Sequence, residues 1–171
     1  MFKIDDYIMY GTTGVCKLED IRKERFMDDE EKEYYVLSPV YSKKTTIKIP
    51  VDNKKVFMRK IHSKEEVSSL IDGMANKETL WIDEDKERDS KFKAMLKTGD
   101  CEELIVLIKS ICANKEIRKL VGKKINKADD DIMKVAKNLL NEEFATVLDI
   151  SIEEVASYIQ SNVPESESES E

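Results

Sequence analysis

The chain has 171 residues, 36 of them acidic and 29 basic, for a formal net charge of −7. With 40% apolar and 38% charged residues it can fill one modest core or two small ones, which argues against wholesale disorder. No apolar run approaches the ~18–20 residues of a membrane helix, and Met1-Phe2-Lys3-Ile4-Asp5-Asp6 lacks the basic stretch and apolar core of a signal peptide. Three widely spaced cysteines do not make a disulfide scaffold. They fit reduced thiols, so the expected location is the cytoplasm, without membrane contact.

Up to residue 62 the pattern is that of strands. Tyr7-Ile8-Met9-Tyr10 leads into Gly11-Thr12-Thr13-Gly14, a turn whose glycines can take positive φ. Val15, Cys16, Leu18 and Ile21 continue an extended apolar pattern. Met27-Asp28-Asp29-Glu30-Glu31 reads as a polar turn, and Tyr34-Tyr35-Val36-Leu37 as an aromatic and branched strand. Ser42-Lys43-Lys44 reads as a tight connection. Thr45-Thr46-Ile47-Lys48-Ile49 alternates and stops at Pro50, and Val56-Phe57-Met58 gives a last short strand. Five short strands with turns between them predict a small, strongly bent sheet or open barrel.

Beyond residue 62 the period becomes helical. Ser63-Lys64-Glu65-Glu66 forms a capping box ahead of Val67, Leu70 and Ile71. Phe92, Met95 and Leu96 make an apolar stripe that Gly99 closes. Asp100 caps a third helix, with Leu104, Ile105, Leu107, Ile108, Ile111 and Cys112 on its buried face. Ile132, Val135, Ala136, Leu139, Leu140 and Ala145 mark a fourth, and Ser151-Ile152-Glu153-Glu154 caps a fifth carrying Val155, Tyr158 and Ile159. The serine–glutamate alternation from Pro164 to Glu171 has nothing to bury and reads as a disordered tail. The predicted organisation is therefore α+β: a β-rich domain over 1–62, a compact helical domain over 63–163 and a tail over 164–171.

The average charge argues against a nucleic-acid binder only if the charge is evenly spread, and it is not. Residues 86–127 hold 12 basic and 6 acidic side chains, net +6, and residues 128–171 hold 2 basic and 12 acidic, net −10. The densest basic cluster is Lys115, Arg118, Lys119, Lys123, Lys124 and Lys127. Such a run is ordinarily a solvated helix face. It is also what a phosphate-facing patch looks like, because fields from distant acids are screened within about 10 Å at ordinary salt.

Catalytic signals are missing. The lone histidine, His62, stands at the junction of the halves and reads as a surface or packing residue. Cys16, Cys101 and Cys112 lack C-x-x-C spacing, and the last two, eleven residues apart, share one helical face as core thiols. Asp28–Glu31 and Asp129–Asp131 lack the ligand alternation and central glycine of a calcium loop. There is no phosphate-binding glycine loop, dinucleotide fingerprint or nucleophile elbow. The expectation is a protein that is not an enzyme and carries neither metal nor cofactor. The single tryptophan, Trp81, lies between charged flanks, and either ordinary core packing or a platform for nucleic acid fits it.

Phe2-Lys3-Ile4-Asp5-Asp6-Tyr7-Ile8-Met9-Tyr10 followed by Gly14-Val15 resembles the opening of the CarD/CdnL family of bacterial transcription regulators, whose N-terminal module also occurs in the transcription-repair coupling factor. Glu33–Leu37, Ile47–Val51 and Val56–Arg59 follow at the family's spacing. Trp81, Arg88, Phe92, Leu96 and Gly99-Asp100 resemble its tryptophan–arginine–"GD" signature, and Leu139–Ala145 its late helix. Two departures stand out: Gly11-Thr12-Thr13 replaces the family's usual proline and histidine, and Asp83-Glu84-Asp85 is acidic where many relatives are basic.

The resemblance implies a Tudor-like β-domain that docks on the β subunit of RNA polymerase. It also implies a helical domain that touches promoter DNA at the upstream edge of the melted region, with the tryptophan as a minor-groove wedge that stabilises the open promoter. The residues expected at the polymerase are Thr46, Ile47, Lys48 and Ile49 as a sheet edge, together with Tyr10, Arg25 and Pro50. Those expected at DNA are Trp81, Lys86, Arg88, Lys91, Lys93, Lys115, Arg118, Lys119, Lys123 and Lys124. The protein is expected to be a monomer. The rival reading is a module that binds polymerase and a second protein without touching DNA.

Overall fold

In the computed structural model, residues 1–25, 27, 30–42 and 44–164 are described. The expected serine–glutamate tail and parts of the two polar connections, Asp28-Asp29 and Lys43, lie outside the described residues. The chain divides into two compact units, Met1–Ile61 and a second from His62 onward.

The first unit is an open, five-stranded antiparallel sheet: β1 (Tyr7–Tyr10), β2 (Gly14–Glu24), β3 (Lys32–Pro39), β4 (Ile47–Pro50) and β5 (Met58–Lys60), in the order β4-β3-β2-β1-β5. The alternation that predicts strands also fills the core, where Ile8, Cys16, Leu18, Tyr35, Leu37 and Ile49 pack on one another. A register shift between Leu18 and Asp20 interrupts the long β2–β3 ladder, and such a bulge bends a sheet. Two boundaries differ from the sequence pattern. Thr46 lies just before β4, and β5 starts at Met58, after Val56 and Phe57.

Gly11 occupies a position that glycine suits. It has φ +47° inside a 3₁₀ turn at Gly11–Thr13, and an added Cβ would meet Val56 Cγ1 at 2.8 Å. Its N–H donates to the Phe57 carbonyl at 2.9 Å, so the turn and the segment before β5 are fitted to each other.

The second unit holds α1 (Lys64–Gly73), α2 (Asp85–Thr98), α3 (Cys101–Leu120), α4 (Lys127–Leu148) and α5 (Ile152–Asn162). Each start has a physical cause. The Ser63–Glu66 and Ser151–Glu154 capping boxes form, and Asp100 accepts from the amides of Glu102 and Glu103. Gly99 ends α2 in the left-handed region at φ +61°. Phe92, Leu104, Leu107, Ile111, Ala136, Leu139, Phe144 and Val155 fill the core. Val135, expected on the buried face of α4, is exposed.

Candidate functional site

In the first unit, β4 pairs among the described residues with β3 alone, through Ile47–Leu37, Lys48–Val36, Ile49–Tyr35 and Pro50–Tyr34, so its other side is a sheet edge. An edge leaves backbone donors and acceptors for an added strand. Ile49 is buried, Ile47 and Pro50 are half-buried, and Lys48 is exposed. The Lys48 ammonium is not idle: its Nζ lies 2.6 Å from Glu24 Oε1. Arg25, exposed, follows Glu24 at the end of β2. Tyr10 does not join this edge. It lies on β1, with β2 and β3 between it and β4, and packs on the sheet core.

In the second unit, Trp81 sits in the connection between α1 and α2, and three side chains anchor that connection. Lys109 donates to the carbonyls of Met74, Ala75 and Lys77 at 2.8, 3.1 and 2.6 Å. These include groups at the C-terminal end of α1, where a cation is favoured. Ser110 Oγ accepts from Leu80 N–H at 2.8 Å. Arg88 Nη1 donates to the Ile82 carbonyl at 2.8 Å. The indole itself is half-buried, edge-on to Phe92 with ring centres 6.2 Å apart, and Arg88 Cζ lies 4.5 Å from its ring centre.

Arg88 corrects the sequence-based assignment. It was expected at a DNA phosphate, yet it is 2% exposed. Its Nη2 donates to Asp129 Oδ2 at 2.9 Å and to Asp85 Oδ1 at 2.7 Å, while its Nε reaches Asp129 at 3.1 Å. The hydrogen bonds it donates to Asp129, and then to Asp85, hold the guanidinium charged against the opposing cost of burial. The charge is spent inside the fold. Its position explains this, since residue 88 lies four before Phe92 and shares the helix face of Met95 and Leu96. Asp85, part of the acidic stretch noted in the sequence, is one of the clamp's two carboxylates.

The remaining cations differ in availability. Lys86, Lys91, Lys115, Lys119, Lys123 and Lys124 are exposed and make no ion pair among the described residues. Lys93 is paired with Asp89 at 2.7 Å, and Arg118 Nη1 donates to the Lys124 carbonyl at 3.2 Å. The cations of 115–124 follow the last buried residue of α3, Ile111, so the end of this helix stands in solvent.

Two features escape the sequence reading. Ile117, Leu120 and Val121 are exposed among these cations, Leu120 at 88%. They interrupt the charge run, which is the signal that marks them. The other is a polar cluster inside the helical unit, formed by His62, Cys101 and Glu143. Glu143 is fully buried, and its place four residues after Leu139 and seven after Ala136 puts it on the apolar stripe of α4. Cys101 is buried as expected but lies in this cluster rather than among apolar groups, while Cys112 is half-buried with its Sγ 3.6 Å from Met133 Sδ.

Residues 2–62 match the family described as the CarD-like/TRCF RID domain. No curated protein matches the chain. The matched span covers the sheet and ends at the junction, and none of the five helices falls within it. That domain is a non-catalytic module that interacts with RNA polymerase, and the exposed edge at β4 suits such a role. The similarity to the CarD-like family of RNA polymerase-interacting domains is thus carried by the N-terminal unit, over residues 2–62.

Proposed function

We propose that the protein is a transcription regulator whose sheet docks on the β subunit of RNA polymerase and whose helical unit stabilises the open promoter complex. The sheet adds the β4 edge to a polymerase strand, with Lys48 exchanging Glu24 for a polymerase carboxylate. The helical unit meets DNA at the upstream edge of the bubble, where Trp81 enters the minor groove. Lys86, Lys91 and the 115–124 cluster position it on phosphates. Arg88 contributes from inside, by holding the indole.

The observation that carries this reading is the anchored tryptophan. Three side chains fix its backbone and one cation holds its ring. A wedge set in advance loses little conformational freedom on binding. The protein then shifts the closed–open equilibrium by binding the open state better, and a preference of ~1.4 kcal/mol changes the ratio tenfold. Docking on polymerase supplies the local concentration, so affinity for free DNA can be low. Residence in the cytoplasm, at the nucleoid, and action as a monomer belong to the same proposal.

The exposed apolar trio Ile117, Leu120 and Val121 favours a second reading, in which the end of α3 binds another protein. The lifetime of open complexes with Trp81→Ala tests the first reading. Retained polymerase docking with a shortened lifetime supports it. Retained docking with an unchanged lifetime overturns it.

A further inference from the structure

We infer that His62, Cys101 and Glu143 form a binding site for a divalent transition-metal ion of the zinc class. The inference concerns the helical unit alone and does not rest on the proposed action at promoters. The three residues come from separate elements: His62 precedes the N-cap of α1, Cys101 opens α3, and Glu143 lies within α4. Their donor atoms lie within 4.8 Å of one another. His62 Nδ1 is 2.7 Å from Glu143 Oε1, Cys101 Sγ is 3.1 Å from Glu143 Oε2, and Sγ is 3.8 Å from Nδ1.

Imidazole nitrogen, thiolate and carboxylate are the donors that zinc takes, at ~2.0–2.3 Å in tetrahedral geometry. That geometry places the donors roughly 3.3–3.6 Å apart. The His62 and Cys101 contacts fall on different oxygens of Glu143, so side-chain rotation brings one oxygen to both donors. The carboxylate is oriented independently of any ion, because His62 N–H donates to Glu143 Oε1 at 2.9 Å, and such support fixes a metal ligand.

The site has an entry path. His62 and Cys101 also line a cleft of about 480 Å³, whose wall includes Glu65, Glu66, Asp100 and Glu102 against Lys77. Four carboxylates against one ammonium give the cleft a field that favours a cation. Three protein ligands leave the fourth position of a tetrahedral ion to a water. Binding displaces the thiol proton of Cys101 to solvent and leaves the sulfur as thiolate, so affinity rises with pH.

The test is titration of the full, metal-free chain with Co²⁺. Binding gives a thiolate-to-cobalt charge-transfer band that saturates at one equivalent and is bleached by Zn²⁺. Cys101→Ser removes the band and Cys112→Ser keeps it. His62→Gln weakens binding by more than the ~10–100-fold typical of second-shell groups. Folding of each variant is checked by circular dichroism. A second measurement uses the unaltered protein: Zn²⁺ slows alkylation of Cys101, read peptide by peptide, and leaves that of Cys112 unchanged. Absence of the band, its survival in Cys101→Ser, or alkylation of Cys101 indifferent to Zn²⁺ overturns the site and leaves a hydrogen-bonded cluster only.

Discussion

Arg88 and the 115–124 cluster are both cationic in the sequence, and the fold uses them in opposite ways. Arg88 lies on the apolar stripe of α2, so helix geometry turns it inward onto Asp129, Asp85 and Trp81. The lysines of 115–124 lie beyond the last buried residue of α3 and make no ion pair among the described residues. Cations therefore divide by position rather than by charge. One on an apolar stripe shapes the site, and one past its end is available to a ligand.

The largest test of this division is Arg88→Ala. It strands Asp129, itself 3% exposed, without its buried partner, and loss of one member of a buried pair costs ~3–5 kcal/mol. Denaturant unfolding should show a loss of that order. A loss under ~1 kcal/mol would mean that Arg88 is a surface cation after all. Replacing Arg88 and Asp129 together with Met and Leu should recover much of the loss, since the cost comes from the unpaired charge.

A triple Lys119, Lys123 and Lys124→Ala variant should behave in the reverse way. Its stability should stay within about 0.5 kcal/mol of the parent, as for surface positions. Its affinity for DNA should fall for all sequences alike, with the log–log salt slope reduced by up to ~3. An unchanged slope would remove these lysines from the interface.

Legibility follows the same physical division. The helices were readable because their caps are local: Ser63 with Glu66, Asp100, Gly99 and Ser151 with Glu154 act within one turn. The sheet was readable from alternation, but its edges were less so, because Thr46, Val56 and Phe57 have strand-like side chains and only pairing excludes them. The inward role of Arg88 was present in its spacing from Phe92, yet its partner Asp129 lies 41 residues away, and no local pattern joins them. The cluster of His62, Cys101 and Glu143 is non-local in the same sense. The spacing of Glu143 from Leu139 hinted at burial, and nothing in the sequence hinted at its partners.

Smaller effects sharpen the comparison. Lys93→Ala removes an exposed i,i+4 pair with Asp89 and should cost only ~0.3–0.5 kcal/mol. The smallest effect concerns pH. Hydrogen bonding from Lys134 holds the Asp130 carboxyl below its usual range, with smaller contributions from Lys115 and Lys127. A lowered folded-state pKa contributes stability that is present above the unfolded value of ~3.9 and lost as pH falls through the folded value. Asp130→Asn should therefore make the acid limb of the stability curve shallower and leave its slope above pH ~6 unchanged. A steeper acid limb would contradict the assignment.

The claim that the helical unit touches promoter DNA is tested most directly at Leu120, which is exposed between Arg118 and Lys123 and tolerates a bulky replacement. A photo-crosslinking phenylalanine analogue placed there, in a complex with polymerase and an open promoter, should crosslink to DNA at the upstream edge of the bubble. Crosslinks to protein alone would contradict the account and favour a protein partner for this end of α3.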